Sequence, residues 1–96
     1  MSPKNKKKLS IVRKKLDLLD NKLIDLIKTR TTLVEEVVKL KEHKKDIVDK
    51  KRISLILKNI VKKSKKRGID PKITRKIWNS MIRAYIDYEY RNFKKK

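Results

Sequence analysis

The chain has 96 residues, of which 31 are Lys or Arg and 11 are Asp or Glu, for a formal net charge of +20. That length holds one domain, and with no Cys and one His it offers no disulfide framework, thiolate zinc site, Cys nucleophile or multi-His metal site. No apolar run approaches the ~18 residues of a membrane span, and the basic opening MSPKNKKKLS leads into no apolar leader segment. A soluble, cytoplasmic, single domain over residues 1–96 is expected.

A charge of this size points first to nucleic acid or an anionic surface. The cations, however, divide as 24 Lys to 7 Arg, and Ile reaches 12. Lys and Ile share A-rich codons, and surfaces that read phosphates and bases favour Arg. A solvated Lys-rich surface is therefore the leading expectation, and a nucleic-acid partner the lesser one.

A single Gly and two Pro predict long, uninterrupted helices, because sheets need more turns. The fold class is all-α, with helices at about 10–42, 49–66 and 71–93 and Lys-rich tails at 1–8 and 94–96 that are expected to fray. The polar stretch Glu42-His43-Lys44-Lys45-Asp46 ends the first helix, and Asp49 can cap the second. In Arg67-Gly68-Ile69-Asp70-Pro71 a Gly follows a helix end, then Asp stands as N-cap and Pro as first helical residue.

At ~1.5 Å per residue the first helix would run about 50 Å. Spacings of four and three trace one stripe through Val12, Leu16, Leu19, Leu23, Leu26, Arg30, Leu33, Val37 and Leu40. Only Arg30 interrupts this seam of coiled-coil character. A seam so long asks for an equally long partner, and a second copy of the same helix is the simplest one. An obligate homodimer is expected, each chain completing the other's core.

Arg30 on a buried seam needs an anion, either a carboxylate such as Asp17 or Asp20 or a ligand. A neighbouring stripe runs Arg13, Leu16, Asp20, Leu23, Ile27, Arg30, Val34, Val37, Lys41. Arg13, Arg30 and Lys41 thus lie near one face, separated by about 25 Å and 16 Å of helical rise. One small ligand cannot touch all three within one chain, but an antiparallel dimer can bring Arg13 of one subunit near Arg30 or Lys41 of the other. In the second helix Arg52 borders the apolar face of Ile53, Ile56, Leu57, Ile60 and Val61. In the third, Glu89 continues a stripe through Trp78, Ile82 and Tyr85. The plainer expectations are a solvated Arg52 and a Glu89 paired with Arg83 or a nearby Lys.

These positions carry a resemblance. Over about residues 9–93 the chain resembles the all-α chorismate mutases. IVRKKLDLLDNKLIDLIKTR is similar to that family's opening helix, with Arg13, Leu19-Asp20 and Arg30 in register. LVEEVVKLK brings Lys41, IVDKKR brings Asp49 and Arg52, and GIDPKITRKIWNSMIRAYIDYE resembles the last helix, ending in Glu89.

The resemblance implies an intertwined homodimer with two shared active sites. Arg13 of the partner subunit would join Arg30, Lys41, Arg52 and Glu89, with Asp49 and Tyr85 also at the substrate. The implied reaction is the rearrangement of chorismate to prephenate, on the way to Phe and Tyr, with no cofactor or metal. Cations suit a dicarboxylate. The rearrangement is unimolecular, so catalysis would come from holding a compact conformer and from stabilising charge on the ether oxygen. Lys41 and residue 89 would donate hydrogen bonds to that oxygen. Many members have Gln there. A carboxylate cannot donate, so Glu89 is expected to act in its protonated form, which burial favours.

Ile53 stands where many members carry a Glu for the ring hydroxyl, a contact left to Asp49. Ile53 with Tyr85 resembles a sister group of the same fold, the isochorismate pyruvate lyases, which form salicylate and pyruvate. That lyase is the alternative enzyme. A basic helical nucleic-acid-binding module is the alternative from another class, and Arg30 and Glu89 on apolar stripes argue against it.

Overall fold

The computed structural model describes residues 1–95. Three α-helices and one short 3-10 turn make up its regular structure: α1 (Pro3–Leu40), the turn Lys44–Asp46, α2 (Lys50–Lys66) and α3 (Pro71–Asn92). No strand occurs among the described residues, as the scarcity of Gly and Pro predicts. None of these helices is long and apolar enough to cross a membrane.

The first helix corrects one expectation. It begins at Pro3, within the segment expected to fray, and ends at Leu40 rather than at 42. The physical reason is an N-terminal cap hidden in a Lys run. The Ser2 hydroxyl accepts the Asn5 N–H at 3.2 Å, the Ser2 carbonyl accepts the Lys6 N–H at 2.9 Å, and Pro3 takes the first helical position, where no N–H is needed. Of the 94–96 tail, residues 94 and 95 lie beyond α3 as expected, and Lys96 lies outside the described residues.

The chain divides into two compact units, Met1–Leu33 and a second beginning at Val34. The first is a single stretch of α1 in which no side chain is buried. The seam expected from the sequence stands in solvent along this chain, from 45% exposed at Val37 to 80% at Leu40, with Leu23 at 47%. Arg30 alone on that stripe is half-buried.

The second unit holds the last turns of α1 with α2 and α3, and α2 packs on α3. Their junction follows from residue types. At the end of α2 the Ile69 N–H reaches the Ser64 carbonyl at 2.9 Å and the Gly68 N–H reaches Lys65 at 3.2 Å. This is the Schellman pattern, with Gly68 at φ +68°. Asp70 then caps α3, accepting the Lys72 N–H at 2.9 Å, and Pro71 follows as first helical residue. Across the hairpin the Ser64 and Thr74 hydroxyls meet at 2.6 Å. Ile47, Val38 and Ile82 form the small buried apolar set, with Ser64 and Glu89 as buried polar members.

Gly68 offers a clean test of the turn. A Cβ there would meet nothing within 4 Å, so only the left-handed conformation resists substitution. Gly68→Ala should cost about 1–2 kcal/mol and lower Tm by several degrees in a calorimetric scan, with the helix content unchanged.

Candidate active site

The site is built where α1 and α3 both end. Lys41 is the residue after α1, and Glu89 lies in the last full turn of α3. Lys41 Nζ stands 2.9 Å from Glu89 Oε1. The side chains are 19% and 9% exposed, so the pair is largely desolvated. Burying a carboxylate is costly unless it is paired, and Lys41 is the partner that makes its burial tolerable.

The chain between α1 and α2 supplies the second contact. His43 N–H donates to Asp46 Oδ2 at 3.1 Å and Asp46 N–H to the His43 carbonyl at 3.0 Å. This closes the 3-10 turn and brings buried Ile47 back toward the end of α1. The Ile47 carbonyl accepts from Lys41 Nζ at 3.0 Å. An ammonium has three donors. Ile47 and Glu89 occupy two of them, so among the described residues one N–H remains to meet an acceptor from a ligand. A cation held by two fixed acceptors, with a third hydrogen to spare, is a preorganised donor of the kind that stabilises developing negative charge.

The other expected residues fall as follows. Asp49 is exposed and its Oδ1 accepts the Arg52 N–H at 3.0 Å, capping α2. The Arg52 side chain is exposed, while Tyr85 and Ile53 are half-buried. Arg13 and Arg30 lie on α1 in the first unit, Arg13 exposed and Arg30 half-buried. Within one chain, then, the structure joins Lys41 and Glu89. It also settles the plainer expectation for Glu89, whose cationic partner is Lys41 rather than Arg83.

Two features escape the sequence pattern. One is the Ile47 carbonyl, placed by an irregular turn that no periodicity announces. The other is a hydrogen bond from Tyr88 Oη to Glu35 Oε1 at 2.8 Å, between α3 and α1. That bond, reinforced by desolvation and the Glu35 charge, pushes the Tyr88 phenol above its ordinary range. The phenol therefore stays a donor through neutral pH. The stability it contributes is complete below the ordinary tyrosine range and is lost as pH rises through the raised value.

A chorismate mutase of Methanocaldococcus jannaschii is 36% identical over 76 residues, which cover 78% of this chain and 77% of that protein. No solved structure gives a significant match. The family model described as chorismate mutase type II matches residues 12–90. That span takes in Arg13, Arg30, the Lys41–Glu89 pair, Asp49, Arg52 and Tyr85, and by it the chain belongs to the chorismate mutase type II family.

Proposed function

We infer that the protein is a chorismate mutase, an isomerase that converts chorismate to prephenate. The ether bond between ring and enolpyruvyl side chain breaks as a carbon–carbon bond forms, with no change in composition. The single observation that carries this is Lys41, half-buried between Ile47 and Glu89 with a donor to spare, inside a chain of that family. Negative charge grows on the ether oxygen as its bond to the ring lengthens. A fixed ammonium stabilises that charge more than it stabilises the ground state, and this difference is catalysis.

The rest of the site is our proposal. Arg30 and Arg52, with Arg13 of the partner subunit, bind the two carboxylates, ideally through bidentate contacts. Binding there holds the side chain over the ring in a compact, reactive conformer. Asp49 meets the ring hydroxyl and Tyr85 lines the substrate. The apolar stripe left in solvent on α1 supports a homodimer, because a run of this kind marks an interaction surface. The whole chain then works as one domain, in the cytoplasm, within a shared pair of sites.

For Glu89 to point a hydrogen at the ether oxygen it must carry a proton. Glu89→Gln supplies an amide donor at the same place and should keep most of the wild-type kcat. A Glu89→Gln enzyme that loses most of its kcat would instead favour a carboxylate that serves to orient Lys41, a role its 2.9 Å ion pair also suits.

The deciding experiment supplies chorismate and isochorismate separately and separates the products by chromatography. Prephenate from chorismate is expected. Pyruvate and salicylate from isochorismate alone would replace the mutase by the sister lyase, and turnover of neither would remove the enzymatic assignment.

A further inference from the structure

Both members of the Lys41–Glu89 pair occupy helix ends, the part of a helix that frays most readily. Lys41 follows the last residue of α1 and Glu89 is three residues from the end of α3. Their 2.9 Å contact therefore depends on something that fixes the spacing of the two ends. Packing between the two ends is incomplete. An open cleft of about 340 Å³, bordered by Glu35, Val38, Tyr88, Asn92 and Phe93, lies between the last turns of α1 and the end of α3.

Two polar ties span this cleft. Tyr88 Oη donates to Glu35 Oε1 at 2.8 Å, and Lys95 Nζ donates to the Lys39 carbonyl at 2.6 Å. Tyr88 precedes Glu89 directly, so fixing its ring fixes the rotation of α3 about its axis at Glu89. Glu35 lies six residues before Lys41, on the last turns of α1. Of the two ties, the one through Tyr88 is held between regular helical turns, whereas Lys95 lies beyond α3.

We propose that Tyr88 and Glu35 form a positioning pair, which holds the end of α3 against the end of α1 so that Glu89 and Ile47 together aim Lys41. Neither residue touches substrate. Their effect passes through Lys41, and the proposal rests on the site described above.

The test is kinetic, with the wild-type enzyme and chorismate as control. Tyr88→Phe and Glu35→Ala should each lower kcat about tenfold, since small displacements of a catalytic group are costly, while KM stays within about twofold because no substrate contact is lost. The double variant should lose little more than either single one, as expected for two ends of one interaction. Glu35→Gln keeps a carbonyl acceptor for the phenol and should restore most of the rate. A merely structural role would lower Tm and leave kcat intact. That outcome would overturn the proposal, as would losses that multiply in the double variant or a Glu35→Gln enzyme as slow as Glu35→Ala. Should the wild-type protein leave chorismate unchanged, the assignment of the site falls, and a stability cycle decides the positioning separately. Tyr88→Phe and Lys41→Met must then be coupled in their effects on unfolding, and strict additivity would refute the link.

Discussion

Lys41→Met should lower kcat by about 10²–10³-fold, the usual cost of removing one preorganised donor from a developing oxyanion. The thioether has nearly the length and bulk of the lysine stem, so the change removes the charge and little volume. It should also destabilise the protein by about 3 kcal/mol, at the low end for breaking a buried pair, because Glu89 is left desolvated without its cation. The two effects separate in a second variant. Lys41→Met with Glu89→Leu replaces both charges by apolar groups, so thermal stability should return toward wild type while kcat stays low. A rate that recovers with stability would mean that Lys41 acts on the fold alone.

Mixing two inactive proteins should restore activity. In the proposed dimer each site takes Arg13 from one subunit and Lys41 with Glu89 from the other. Arg13→Ala homodimers then lack a carboxylate anchor in both sites, and Glu89→Ala homodimers lack the Lys41 partner in both. In a hybrid of the two, both defects fall in one site and the other site is intact. Equal mixing gives half hybrids, each with one good site of two, so about one quarter of wild-type activity should appear after unfolding and refolding together. Separate refolding followed by mixing should give less, at a rate set by subunit exchange. No recovery in a sample that contains hybrids, as judged by native mass spectrometry, would show that each site is made by one chain.

Legibility in the sequence followed the kind of interaction involved. The bounds of α2 and α3 were readable because Asp49, Gly68, Asp70 and Pro71 each act locally, through a cap, a left-handed turn or a ring that presets φ. The start of α1 was not, because Ser2 and Pro3 sit in a Lys run whose charge resembles that of a frayed tail. Lys41 and Glu89 were readable as polar residues at positions on apolar stripes, whereas their 2.9 Å contact depends on two helix ends meeting. The Ile47 carbonyl and the Tyr88–Glu35 tie were not. One depends on an irregular turn and the other on the rotation of two helix ends, and neither leaves a periodic trace.

The apolar face left bare on α1 also divides the timing of assembly. The α2–α3 hairpin closes through a turn of four residues, Arg67 to Asp70, and contacts so close in sequence form in microseconds to milliseconds. If the α1 face is completed only by another chain, that step is second-order, and its rate falls with the concentration of newly made protein. Early in synthesis, when few copies exist, half-finished subunits with greasy helices would accumulate. Refolding studied by dilution should then show a fast phase that ignores protein concentration and a slow one proportional to it, with catalysis emerging only in the second.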